Sequence, residues 1–269
     1  METWRGKWAL VTGASAGIGK ALAGELAAGG TNLVLTARRR ERLAELAARF
    51  SARGVKTEIL AADLVDAAAP RAIYNFTKER GVEVELLINN AGFGAYGELR
   101  TQEAGRLAEM IQVNCNAVVQ LTRLYLPEMV ARRHGDILIV GSTAAFQAVP
   151  YISTYAATKA FDLLFAEGVA EEARPYGVRV CCLCPGSTAT EFHDVAGQPD
   201  STKRKQETAE KVARTGLRAL AAGKSYVISG MANYLATHGQ RLAPRRLVTR
   251  VAAKMFRPEE KRETKEIAK

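Results

Sequence analysis

The sequence predicts a doubly wound α/β fold with a mostly seven-stranded parallel sheet, on three observations. Strand-like and helix-like segments alternate along the chain, the pattern made by parallel strands joined through right-handed helical crossovers. The first strand-like run, Trp8-Ala9-Leu10-Val11, leads directly into a glycine-rich turn and then a helical stretch. At 269 residues and 48% hydrophobic content, the chain fits one such domain with an ample core.

Taken in order, strands are expected near residues 8–12, 32–37, 55–61, 86–89, 136–142, 178–184 and 225–228. Amphipathic helices fall between them, near 17–29, 40–53, 66–80, 102–132, 152–176 and 206–222. Open parallel sheets bind ligands at the carboxyl ends of their strands. The polar motifs of this chain fall at those ends or on the helix that follows.

After strand one comes Thr12-Gly13-Ala14-Ser15-Ala16-Gly17-Ile18-Gly19. Glycines there let the backbone approach a pyrophosphate, and the helix N-terminus offers free N–H groups and a positive dipole end. Strand, glycine turn and helix together suggest a dinucleotide cradle. Strand two runs through Val34-Leu35-Thr36 into Ala37-Arg38-Arg39-Arg40. NAD-preferring sites usually place an acid at that strand end, to accept from ribose hydroxyls, and here Ala37 stands instead. Three arginines at a helix start oppose its dipole, and a bound 2′-phosphate would relieve the conflict. NADPH is therefore expected over NADH, with Arg38 as the main phosphate contact and Ser15 assisting. Arg39 and Arg40 read equally well as solvated surface.

Tyr155 and Lys159 stand one helical turn apart, and Ser142 closes the apolar run Ile137-Leu138-Ile139-Val140-Gly141. Spacing i, i+4 puts phenol and ammonium on one helix face. An ammonium about 5 Å away, at an effective dielectric near 20, would lower a tyrosine pKa by about two units. Ser142 can hydrogen-bond the same substrate oxygen. Tyr151 is a decoy, because four residues later it has Tyr155 and not a lysine.

The ordered set comprises the glycine turn, Asn89-Asn90-Ala91-Gly92, Asn114, Ser142, Tyr155-x3-Lys159 and Pro185-Gly186-Ser187-Thr188-Ala189-Thr190. It resembles the short-chain dehydrogenase/reductase family in its single-domain branch, over roughly residues 5 to 230. More loosely, the chain is similar to bacterial ketoacyl and hydroxysteroid reductases. The resemblance implies a Rossmann-type catalytic domain over 1–230, with a substrate lid at about 191–222. It implies Ser142, Tyr155, Lys159 and Asn114 as catalytic residues, with Asn114 anchoring a water that passes protons to Lys159. It further implies cofactor contacts from Gly13, Ser15, Gly17, Ile18, Gly19, Arg38, Asp63, Leu64, Asn90, Ala91, Gly92, Tyr155, Lys159, Pro185, Gly186, Thr188 and Thr190. Lys159 would hold the nicotinamide ribose, Asp63 the adenine amino group and Thr190 the carboxamide. Two alternatives stay open: Asp63 as a helix N-cap and Asn114 as a satisfied core asparagine. The expected activity is reduction of a ketone or aldehyde to an alcohol, or the reverse. The substrate is expected to be hydrophobic, such as an acyl thioester or a steroid-like ketone. A non-catalytic NADPH-binding protein on the same fold is the competing class. A homodimer or homotetramer is implied by the family.

Net charge is +10, and all the excess is C-terminal. Residues 201–269 hold 17 Lys and Arg against 6 Asp and Glu. From Pro244, a helix with Leu247, Val248, Val251 and Met255 near one face and arginines on much of the rest is expected, within a basic extension over 231–269. Such a helix packs on its own domain or touches an anionic membrane. The final residues 260–269 mix both signs and are expected to fray. Interleaved aromatics and nucleic-acid motifs are missing, so no nucleic acid is expected. No apolar run approaches a membrane span, and no leader is apparent ahead of strand one; a cytoplasmic protein is expected. Cys181, Cys182 and Cys184 read as buried strand residues, and three scattered histidines suggest no metal site.

Overall fold

The computed structural model describes residues 2–199 and 206–258. The charged tail at 260–269 and the loop positions at 200–205 lie outside the described residues. Seven strands, β1 (Trp8–Thr12), β2 (Asn32–Ala37), β3 (Thr57–Ala61), β4 (Val84–Asn89), β5 (Gly135–Val140), β6 (Val178–Cys184) and β7 (Tyr226–Ile228), form one sheet. Its order is β3-β2-β1-β4-β5-β6-β7, and every pairing is parallel. The chain moves outward from β1 to β3, then returns to pair β4 with β1. That reversal opens a crevice at the carboxyl ends of β1 and β4.

Among the described residues, ten α-helices connect and cover the strands: α1 (Gly17–Ala28), α2 (Arg40–Ser51), α3 (Ala69–Glu79), α4 (Ala104–Ile111), α5 (Ala117–Ala131), α6 (Ser153–Ala173), α7 (Phe192–Val195), α8 (Ala209–Ala221), α9 (Met231–Gly239) and α10 (Arg245–Phe256). The five central strands are buried on both faces, which explains their apolar runs, while the edge strands β3 and β7 are only partly buried. One apolar layer joins the sheet to α1, α2 and α8 through Leu22, Leu26, Leu43, Phe50, Val212 and Leu217. The other joins it to α3, α5 and α6 through Ile73, Leu121, Tyr125, Leu163 and Ala166. Cys181 faces the first layer and Cys182 and Cys184 the second, as strand alternation requires.

Three expectations need correction. The single helix over 102–132 is interrupted by a π-helical turn, Gln112–Asn116, whose extra residue turns Asn114 inward. Helix α8 is not part of a lid. Val212, Leu217 and Leu220 are fully buried against the sheet and α1, each worth about 1.5–3 kcal/mol of burial. Asp63 is not a helix N-cap, because α3 starts six residues later; its Oδ1 accepts from the Val65 N–H at 3.1 Å in a local turn.

At the opposite end of the sheet, polar groups tie strands together. Asp136, fully buried at the start of β5, accepts from Trp4 Nε1 at 2.7 Å and from two Arg179 nitrogens at 2.6 and 2.7 Å. Buried Glu85 pairs with Arg132 at 3.6 Å and with His134.

Candidate active site

A cavity of about 730 Å³ occupies the crevice, and most of the expected site residues line it. Its floor is the glycine turn. A Cβ on Gly13 would sit 2.8 Å from Asn90 Nδ2 and 2.9 Å from Ala91 Cα. On Gly17 it would press within 3.1 Å of the Thr190 side chain, and the backbone there has φ of +53°, which favours glycine. Thr12 Oγ1 donates to the Ile88 carbonyl at 3.2 Å and accepts from the Asn90 and Ala91 N–H groups at 2.9 and 3.0 Å. Asn90 Nδ2 donates in turn to the Thr12 and Gly13 carbonyls at 2.8 and 3.3 Å. The two turns are thus locked together, with backbone N–H groups at the N-terminus of α1 offered to an anion. These features suit a dinucleotide pyrophosphate. Asn89 lies below this level, donating to Thr122 Oγ1 at 3.1 Å.

After β2 and β3, Arg38 and Arg39 both line the cavity, as do Asp63 and Leu64. Arg39, not Arg38, reaches Ser15: its Nε and one terminal nitrogen donate to Ser15 Oγ, each at 3.3 Å. Glu191 binds Arg39 at 2.8 Å and Arg42 at 2.6 Å, and those cations hold its carboxyl below the usual range. Arg39 was expected to be as much surface as site. Sequence could not show that the loop after β6 brings an acid beside it.

The Ser-Tyr-Lys group forms elsewhere in the same cavity. Ser142 follows β5, and its Oγ accepts from the Ala144 N–H at 3.1 Å. Tyr155 and Lys159 share one face of α6, with Lys159 Nζ 5.9 Å from the phenol ring centroid. Lys159 Nζ donates to the Val140 carbonyl at 2.8 Å and to Asp162 Oδ2 at 2.9 Å. One N–H remains for the cavity. A Cβ on Gly92 would lie 3.5 Å from that nitrogen and 3.0 Å from Asn114 Oδ1. Asn114 is fully buried; its Oδ1 accepts from the Phe93 N–H at 3.1 Å, and its Nδ2 donates to the Phe93 carbonyl and Thr158 Oγ1, both at 3.0 Å. The π turn makes this clamp possible, and such turns gather at functional sites.

The electrostatics depart from expectation. Burial pushes the Tyr155 pKa up and outweighs the pull of Lys159 and the Ser142 hydroxyl, so the phenol sits above its ordinary value instead of two units below. Asp162 and Cys184 push the same way. Burial also disfavours the Lys159 ammonium, but Asp162 and Tyr155 together hold its pKa above normal. Sequence reasoning missed Asp162, which is fully buried and leaves Oδ1 without a hydrogen-bond partner among the described residues. Its signal was available: an acid three residues after Lys159 falls on the same helix face.

The loop after β6 brings Pro185, Gly186, Thr188 and Thr190 to the cavity wall. Thr190 Oγ1 accepts from the Phe192 N–H at 3.3 Å, starting the short α7. Phe192 packs on Tyr155 with ring centroids 5.1 Å apart. His193 is held on both ring nitrogens, by Ser187 Oγ at 3.1 Å and Gln198 Oε1 at 2.9 Å. Helix α10 contributes Leu247, Val251 and Met255 to the cavity wall. Tyr96 fastens the helix end by donating to the Phe256 carbonyl at 2.9 Å. Tyr151 does not line the cavity and has φ of +69°. The four cysteines are free and buried, and burial pushes Cys115 up to about 11 and Cys181 up to about 12.

A glycine cradle at a topological switch point, beside a Ser-Tyr-Lys group in one cavity, defines a nicotinamide-dependent oxidoreductase of the doubly wound class. The short chain dehydrogenase profile matches residues 7–200, and the chain belongs to that family. A very-long-chain 3-oxoacyl-CoA reductase of Phaeosphaeria nodorum is 38% identical over 189 residues, which is 66% of this chain and 54% of that protein. Mouse 17-beta-hydroxysteroid dehydrogenase type 3 is 36% identical over 190 residues, covering 69% of this chain and 61% of the relative. The chain thus spans only between half and two thirds of the length of these relatives. Among solved structures, a short-chain dehydrogenase from Sphingobium yanoikuyae in complex with NADPH aligns with TM-score 0.80 and 33% identity, over 88% of this chain and 94% of that one. Among the described residues no helix is long and apolar enough to cross a membrane.

Proposed function

We propose that this protein reduces hydrophobic carbonyl compounds with NADPH, and that Tyr155 supplies the proton. The carrying observation is the convergence of Ser142, Tyr155 and Lys159 on the cavity that the glycine cradle also lines. When bound, the nicotinamide supplies a hydride to the carbonyl carbon. Ser142 and Tyr155 hold the carbonyl oxygen, and Tyr155 transfers its phenolic proton to that oxygen as charge develops. A phenol with raised pKa is fully protonated near neutrality, the form that reduction consumes. The free N–H of Lys159 is directed at the cofactor ribose and at replenishing the tyrosine. Asn114, clamped on Phe93, keeps Gly92 close to both. The apolar walls from Phe93, Val149, Phe192 and α10 favour a long-chain 3-oxoacyl thioester or a steroid-like ketone. The names of the two curated relatives support the same two substrate classes.

NADPH preference is assigned to Arg38 together with Arg39, the second already hydrogen-bonded to Ser15. The NADPH complex of the Sphingobium relative supports it. Exposed Phe161 and Leu164 on α6 and Ile111 on α4 support subunit pairing through those helices. The test is loss of reduced-nicotinamide absorbance over ketones, aldehydes and 3-oxoacyl thioesters. Tyr155→Phe is expected to lower turnover by roughly 10²-fold or more while NADPH binding stays near wild type. Arg38→Asp is expected to reduce the NADPH/NADH preference. Retained turnover in the first variant removes the phenol from the mechanism, and unchanged preference in the second removes Arg38.

A further inference from the structure

Helix α10 carries two parallel ridges. Leu247, Val251 and Met255 recur every four residues and line the cavity. Arg246, Arg250 and Lys254 recur at the same spacing one residue earlier, so they lie about 100° around the helix from the apolar ridge. Each ridge extends about 12 Å, at about 1.5 Å per residue. All three cations are exposed, and they stand beside the apolar ridge that lines the cavity without lining it themselves.

The charge here is unbalanced. Between Met231 and Pro258 the chain has no Asp or Glu, but it has Arg241, Arg245, Arg246, Arg250, Lys254 and Arg257. Among the described residues none of these six forms an ion pair. Elsewhere Arg39, Arg42, Arg179 and Arg214 all have acidic partners. Six cations with no acidic partner among the described residues repel one another, and an anion of several charges relieves that repulsion.

We propose that the Arg246-Arg250-Lys254 ridge binds the phosphate groups of an acyl thioester's nucleotide carrier, with Leu247, Val251 and Met255 covering the apolar part of the same substrate. The assignment rests on the carbonyl-reductase reading and adds a binding subsite to it. Phosphates take charge-assisted hydrogen bonds from guanidinium groups, and a file of three cations offers them over the length of a diphosphate and a further phosphate. An anionic bilayer is the competing occupant, because Leu247, Val251 and Met255 line the cavity yet stay 53%, 52% and 42% exposed.

The test compares wild type with the triple variant R246Q/R250Q/K254Q, whose exposed positions spare the core. Binding of decanoyl-CoA, which has no 3-oxo group to reduce, is measured by calorimetry at low and high salt, beside the S-decanoyl ester of N-acetylcysteamine, which lacks phosphate. Wild type is expected to bind the CoA thioester more tightly by about tenfold or more at low salt, with the advantage shrinking as salt screens it. The triple variant is expected to lose that advantage. Equal binding of decanoyl-CoA by both proteins, or none by wild type, overturns the proposal. Vesicles of phosphatidylserine and phosphatidylcholine form the last arm. Binding there that depends on the three cations, without a CoA preference, overturns it in favour of a membrane surface. Because decanoyl-CoA binding needs no turnover, this result stands apart from success or failure of the reductase assay.

Discussion

Gly19 and Gly24 lie on the same helix, and replacing each by alanine separates two effects of glycine. A Cβ at Gly19 would fall 2.3 Å from Asn90 Nδ2 and 2.4 Å from the Gly13 carbonyl oxygen, about 1 Å inside ordinary contact, which begins near 3.4 Å. The oxygen belongs to the backbone of the locked turn and cannot swing aside. Overpacking of this kind costs about 1–3 kcal/mol. Displacing Asn90 also weakens its bonds to the Thr12 and Gly13 carbonyls, about 1 kcal/mol each. Alanine's better helix propensity returns about 1 kcal/mol, leaving a net loss of about 2–4 kcal/mol. At Gly24 nothing lies within 4 Å of a new Cβ, so only the gain of about 1 kcal/mol remains. At about 2–4 °C per kcal/mol for a domain of this size, thermal melts of the two variants should differ by roughly 6–20 °C. Fluorescence titration with NADPH should show weakened binding only for Gly19→Ala. If the two variants melt together, or Gly19→Ala binds NADPH as wild type does, the turn is not packed as described.

Asp162→Asn removes the counter-charge of Lys159 and should destabilise by about 3–5 kcal/mol, less if the amide keeps a hydrogen bond to Nζ. The folded Lys159 pKa is raised above its ordinary value of 10.5, so while Asp162, whose own pKa burial raises, stays ionised, the ion pair's contribution is complete below that pH and is lost as pH rises through the folded pKa. Urea melts should therefore show a constant wild-type-minus-variant gap through neutral pH that narrows above about pH 10.5, and a gap that persists there would contradict the pairing. Asp136→Ala strands Arg179 and Trp4 Nε1 and should cost about 3–5 kcal/mol, with Tyr155-dependent turnover unchanged below the melting range. A change in turnover at full folding would show that the two ends of the sheet are coupled.

The comparison of sequence with structure turns on distance along the chain. The five central strands could be read because burial on both faces forces apolar runs. The glycine turn could be read because φ of +53° at Gly17 and the approach of Thr190 exclude other residues. Ser142, Tyr155 and Lys159 could be read because one helical turn and one strand end fix their relation locally. What eluded the sequence was contact between remote segments. Asn114 looked like a polar residue in a continuous helix until the π turn clamped it onto Phe93, 21 residues away. The partnership of Arg39 with Glu191 spans 152 residues, and nothing near either one announces it.

The chain by itself determined the class of fold, the glycine turn and the grouping of Ser142, Tyr155 and Lys159, because each depends on short-range periodicity or backbone freedom. Tertiary structure alone decided that burial outweighs Lys159 in setting the Tyr155 pKa, since desolvation depends on every segment packed around the phenol. It also decided that α8 belongs to the core and that α10 lines the cavity. Both are amphipathic helices in sequence, and only the surface each one meets distinguishes a structural face from a binding face.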